Sequence, residues 1–169
     1  MLAPPIDIQS WLRDHADLLQ PPVNNHCLYN EDFIVMIIGG PNKRSDYHIN
    51  PTPEFFYQVS GDMLLRVVDG ETFRDIPIKQ GCLFLLPGNT PHNPVRFANT
   101  VGLVIEQRRP VGQLDTMRWY CDACHARVYE ESFYCTNLGT QLKPVIEKWA
   151  TQPELRQCKQ CGFANPAKV

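Results

Sequence analysis

Two cysteine pairs stand near the end of this 169-residue chain, Cys121-x-x-Cys124 and Cys158-x-x-Cys161. Two intervening residues let both thiolates of a pair face one ion. Two such pairs complete a closed shell of four sulfurs for zinc or iron. The competing reading is two unrelated thiol pairs. A redox CxxC belongs in a βαβ setting, which this part of the sequence lacks. A full shell leaves no open position, so the site is assigned a structural role. Earlier, "RSDYHINPTPEFFYQVSG" (residues 44–61) sets His48 ahead of Glu54, with Arg44 upstream. This is either a decorated turn between strands or half of a second metal site. "GCLFLLPGNTPHNPVR" (81–96) offers a further histidine, His92, just after a tight turn.

The elements that must position these residues are mostly strands. "DIQSWLRDHADLLQPP" (7–22) reads as an amphipathic helix with Asp7 as N-cap. Ile8, Trp11, Leu12, Leu18 and Leu19 share one face, His15 falls on that stripe as a partly packed histidine, and Pro21 and Pro22 stop the helix. From Cys27 to about Arg109 come short apolar runs between turns: "FIVMII", "EFFYQVSG", "MLLRVVDG", "FRDIPI", "GCLFLLPGN" and "VGLVIEQ". Strands spaced by roughly 8–12 residues indicate a sandwich or barrel. Fifteen prolines against ten glycines agree with short strands and stiff turns. A helix is expected around "LKPVIEKWA", between the cysteine pairs. The expected division is a barrel with its N-terminal helix over 1–112 and a four-cysteine metal-binding tail over 113–169. Cys27, Cys82 and Cys135 lack partners and are expected to pack as small hydrophobes. His125 is expected to be a loop residue.

The net charge is −2 and the basic residues form no block, which argues against nucleic acid. The start, "MLAPPIDIQSW", has no basic region followed by an apolar one, and no apolar run approaches the roughly 20 residues of a membrane span. The expectation is a cytoplasmic protein with no membrane partner, whose cysteines are metal ligands or free thiols. Three charged residues, Arg44, Arg96 and Glu106, fall in strand contexts that could aim them inward. Buried charges are rare unless paired or functional. Two arginines and a glutamate around a pocket point to an anionic substrate, since an arginine fork fits a carboxylate. Ordinary strand-edge salt bridges are the alternative for each.

The spacing of His48, Glu54 and Gly61, and of Gly81, Pro87 and His92, resembles the two motifs of the cupin superfamily of small jelly-roll-like β-barrels. Asn42 and Asn89 stand where that pattern has glycines, Asn50 where many cupins have a second histidine, and Arg96 where the pattern ends in asparagine. The resemblance implies a mainly β fold and a metal held by His48, Glu54 and His92. Two histidines and one carboxylate on one face suit Fe(II) enzymes that bind substrate and O2 together.

"LQPPVNN", "IIGGPNKRSDYHINPTPEFFYQ", "FLLPGNTPHNPVRF", "GLVIEQRRP", "RWYCDACHARVYE" and "CKQCG" together resemble a narrower family. This is the 3-hydroxyanthranilate 3,4-dioxygenases of the kynurenine route to quinolinate and NAD, in their short form with a rubredoxin-like tail. The resemblance implies Fe(II) in the barrel, iron or zinc at the four cysteines, and a homodimer. It implies substrate contacts by Arg44, Arg96 and Glu106, with Asn25 and Phe56 nearby. Arg96 would clamp the substrate carboxylate, Glu106 would accept the phenol proton or hold the amino and carboxylate edge, and Arg44 would stabilise charge on oxygen. The rivals are a cupin dioxygenase for a thiol or flavonol, and a binding module built on the four cysteines.

Overall fold

Asp7 starts the first helix as expected, its carboxylate accepting a hydrogen bond from the Ser10 N–H at 2.7 Å. In this computed structural model, which describes residues 2–20 and 24–168, α1 is short, Ile8–Asp14. The expected single helix breaks at His15. Both the backbone N–H and the ring Nδ1 of His15 meet the Trp11 carbonyl, each at 3.0 Å, and close the helix there. The ring is exposed and stacks on Trp11, so His15 is a cap and not part of a packed stripe. Ala16–Leu19 follow as a 3-10 turn. Of the five apolar residues expected on one face, only Leu19 is buried, over Gly39. Pro21 and Pro22, expected to stop the helix, lie outside the described residues.

Among the described residues eleven strands follow, in two antiparallel sheets. β1 (Asn25–Asn30), β2 (Phe33–Gly39), β9 (Val101–Gln107), β4 (Glu54–Ser60) and β7 (Leu83–Leu86) form one sheet in that order. The other is ordered β11 (Arg127–Phe133), β10 (Asp115–Tyr120), β3 (Tyr47–Ile49), β8 (His92–Arg96), β5 (Met63–Asp69) and β6 (Thr72–Ile78). This is the mainly β, two-sheet architecture that the sequence leads us to expect. Alternation along each strand sends one side chain in two to the interior. Phe56, Met63, Leu65, Val67, Ile78, Leu86 and Val104 meet there as the barrel core. Burying each large apolar side chain contributes roughly 1.5–3 kcal/mol.

The boundary expected between 112 and 113 falls just ahead of β10, which is hydrogen-bonded to β3 with Met117 opposite His48. Asp115, Met117 and Trp119 of β10 face inward and are buried. A second core joins Met117 and Trp119 to Leu142, Val145 and Trp149 of α2 (Leu138–Thr151). The Trp119 and Trp149 rings stack at 4.9 Å. Cys135 packs in this core as expected, but Cys27 and Cys82 are exposed. Cys27 sits on an edge strand and Cys82 in the turn before β7, where no layer covers them. His125 is a loop residue, as expected, with φ 60°.

Candidate metal and substrate site

The two sheets each contribute to the barrel site. His48 of β3 and His92 of β8 are register partners on neighbouring strands. Glu54 opens β4 on the facing sheet. All three are buried, and one donor atom from each lies within 4.8 Å of the others. Glu54 Oε1 is 3.3 Å from His92 Nε2 and 3.7 Å from His48 Nδ1. Adjacent positions on bonds of about 2.1 Å stand about 3 Å apart, so a small contraction seats one ion. The turn before His92 explains the tolerated motif departure: Asn89 takes φ 61°, a conformation asparagine adopts far more readily than most residues.

Each imidazole has its remote nitrogen committed. His92 Nδ1 donates to the Thr90 carbonyl at 3.0 Å. His48 Nε2 donates to Asp115 Oδ2 at 2.7 Å. These contacts fix the tautomers and leave one nitrogen of each ring for the ion. Burial pushes the Glu54 carboxyl up, but His92 and His48 outweigh it and hold the group down at about 2. The carboxylate is therefore ionised and ready to ligate.

Glu106 and Arg96 are each 2 % exposed, so the inward aim read for both is correct. Glu106 Oε2 accepts from Asn50 Nδ2 at 3.2 Å and ion-pairs with Arg109 Nη1 at 2.8 Å, while Oε1 is buried with no partner. Burial first, then repulsion from Glu54, push the Glu106 carboxyl up to about 8, against the pull of Arg109. Arg44 departs from expectation: it lies in the loop before β3, not in a strand, and its guanidinium grips Asp46 through Nε at 2.9 Å and Nη2 at 2.5 Å. Phe56 packs edge-on against the His92 ring at 6.1 Å. Asn25 opens β1 on the outer edge of its sheet, and among the described residues no hydrogen bond or ion pair joins its side chain to His48, Glu54 or His92.

The four paired cysteines also converge. Cys121 and Cys161 sulfurs are 3.6 Å apart and Cys124 and Cys158 sulfurs 3.7 Å. A tetrahedron on 2.3 Å metal–sulfur bonds has edges of about 3.8 Å, whereas a disulfide needs about 2.05 Å. The Cys161 backbone N–H leads in drawing the Cys158 thiol down to about 7. Despite help from the Phe163 backbone, the neighbouring Cys124 and Cys121 push Cys161 up to about 12. Four crowded thiols cannot all ionise alone; a cation removes that conflict.

Comparison with known proteins decides the family. A family model described as 3-hydroxyanthranilic acid dioxygenase matches residues 1–150. The chain is 59% identical to the 3-hydroxyanthranilate 3,4-dioxygenase of Neurospora crassa, over 96% of this chain and 90% of that one. It is 57% identical to the protein of the same name from Meyerozyma guilliermondii, over 98% and 97%. The chain belongs to the 3-hydroxyanthranilic acid dioxygenase family.

For a member of this dioxygenase family, two residues of the site escaped the sequence reading. Asp115 and Arg109 are buried together, Arg109 donating to Asp115 from Nε at 2.9 Å and from Nη2 at 2.7 Å. Asp115 had one legible signal: it shares an inward face with Met117 and Trp119. Arg109, in "QRRP", had none. A carboxylate behind a ligating histidine raises its basicity and fixes its orientation. Asp115→Asn is therefore expected to weaken metal binding in the barrel roughly 10–100-fold. Anaerobic competition against a chelator measures this, and an unchanged affinity contradicts it.

Proposed function

We propose that this dioxygenase opens the ring of 3-hydroxyanthranilate with O2 at an Fe(II) site formed by His48, Glu54 and His92. The product is 2-amino-3-carboxymuconate semialdehyde, with both oxygen atoms incorporated, on the kynurenine route to quinolinate and NAD. The observation that carries this is the buried trio of two imidazoles and one carboxylate, in the same barrel as a buried arginine without a carboxylate partner among the described residues. When bound, Fe(II) supplies a redox-active Lewis acid with free positions for an ortho-aminophenol and for O2.

The chain's own residues supply the rest. Arg96 binds the substrate carboxylate, which fixes the ring's rotation in the barrel. Glu106, whose pKa of about 8 lies near the working range, exchanges the phenol proton through Oε1. Arg44, held by Asp46, faces negative charge that develops on oxygen. Phe56 walls the pocket beside His92, and Asn25 contributes from the rim. The test is direct: load metal-free protein with Fe(II) anaerobically, then admit air with 3-hydroxyanthranilate. Absorbance of the ring-opened product is expected; folded, loaded protein that forms none rejects the reading.

The four cysteines hold iron or zinc in a structural role, in a tail over 113–169. Cys158→Ser is expected to lower Tm by about 10 °C, since structural metal binding is folding free energy. Turnover per barrel iron should fall less than about threefold, because a closed shell offers no reactive position. Calorimetry and metal analysis check both halves.

The reading also places the enzyme in the cytoplasm as a homodimer. Among the described residues no helix is long and apolar enough to cross a membrane. Support for the dimer comes from the outer face of the five-stranded sheet, where Leu85, Phe55, Ile105, Val35 and Tyr29 form one row in register. Leu85 is 58% and Tyr29 44% exposed, an apolar row a second copy can cover. Light scattering that finds a monomer at micromolar concentration rejects the dimer.

A further inference from the structure

Three arginines lie buried or half-buried around the barrel site, and they are not partnered alike. Arg109 has the carboxyl groups of Asp115 and Glu106 beside it, and Arg44 that of Asp46. Arg96 has no carboxylate contact among the described residues. Its Nη1 donates to a neutral amide, Gln58 Oε1, at 3.1 Å, and its Nη2 is buried with no partner. Gln58 is itself fully buried. Its Nε2 donates to the Gly61 carbonyl at 2.9 Å, which fixes which end of the amide faces the arginine.

The pair has a space cut for it. Gln58 of β4 stands opposite Gly102 of β9. A Cβ at position 102 would come within 2.3 Å of Gln58 Oε1 and 2.6 Å of Arg96 Nη1. The bare glycine is what lets amide and guanidinium meet. A buried guanidinium with only a neutral partner is costly to the fold. Such a cost is kept where a ligand supplies the missing charge.

We propose that Gln58 is a positioning residue that sets specificity for a carboxylate-bearing substrate: it holds Arg96 by one nitrogen and, being neutral, leaves the charge and the second nitrogen to the ligand. This rests on the Arg96 reading above. A glutamate at the same place would satisfy Arg96 internally and compete with the substrate.

The experiment compares 3-hydroxyanthranilate with 2-aminophenol, which lacks the carboxylate, on iron-loaded wild type, Gln58→Glu and Arg96→Ala. Gln58→Glu is expected to raise KM for 3-hydroxyanthranilate about 30-fold or more, as for a charged hydrogen bond lost to a competitor. KM for 2-aminophenol should move less than about threefold. A purely structural role for Gln58 would move both alike, and that result overturns the proposal. If Gln58→Glu leaves KM unchanged while Arg96→Ala raises it, the Gln58 assignment fails and the Arg96 reading stands. If Arg96→Ala also leaves it unchanged, the Arg96 reading fails as well. Should Gln58→Glu not fold, Gln58→Met carries the test. It removes the acceptor without adding charge and should raise only the 3-hydroxyanthranilate KM, by about tenfold; no change, or an equal change for both compounds, overturns the proposal.

Discussion

His48→Ala is expected to strip the metal from the barrel, abolish ring cleavage, and leave the tail metal in place. The substitution removes one of three donors. Glu54 and His92, 3.3 Å apart, remain as a two-point site. It also strands Asp115, whose Oδ2 loses the imidazole N–H it accepts at 2.7 Å. Asp115 keeps Arg109, so the carboxylate is not left bare and the fold should survive. Metal chemistry supplies several kcal/mol of transition-state stabilisation, so turnover should fall by roughly 10³-fold or more. Metal analysis of the folded variant should find one ion per chain fewer than wild type. A variant that keeps both ions, or full turnover, rejects the three-ligand site.

That expectation was legible in the sequence because the proposed ligands sit beside punctuation. Glu54 follows Pro53, His92 follows Pro91 and His48 lies three residues before Pro51, and short turns fix where the next side chain points. The paired cysteines were legible for the same reason, since a two-residue gap is itself a geometry. Glu106 could be read because it interrupts an apolar strand and strict alternation assigns it a face.

What could not be read depends on contacts between distant segments. Arg44 has the spacing of a strand residue, yet the chain before β3 is loop, held by an Arg44–Asp46 pair that periodicity does not report. Asp115 lies beyond the point where composition changes, but β10 returns to pair with β3 and sets it behind His48. The first helix was overextended because apolar spacing cannot show two donors of His15 converging on one carbonyl. The usual burial of cysteine points Cys27 and Cys82 to the core, but an edge strand and the turn before β7 leave them exposed.

Arg96→Ala is the second large effect expected, and it separates binding from chemistry. Arg96 is 2 % exposed and, among the described residues, its side chain bonds only to Gln58, with Nη2 unpartnered. Burial pulls its pKa down to about 10, still far enough above neutral to keep the guanidinium charged. Its removal deletes a buried cation that has no internal counter-charge among the described residues, and leaves the substrate carboxylate to enter a low-dielectric site unpaired. A charged hydrogen bond broken in this way costs about 2–4 kcal/mol. KM for 3-hydroxyanthranilate should therefore rise about 30- to 1,000-fold. The three proposed ligands are untouched, so barrel metal content should equal that of wild type. KM for 2-aminophenol should barely change, because that compound never offered the arginine a partner. The variant's own stability should not fall by the same amount, since wild-type Arg96 lies buried beside a neutral amide. If both compounds lose affinity together, Arg96 shapes the pocket and does not read the carboxylate; if neither does, the anionic edge of the substrate is held elsewhere.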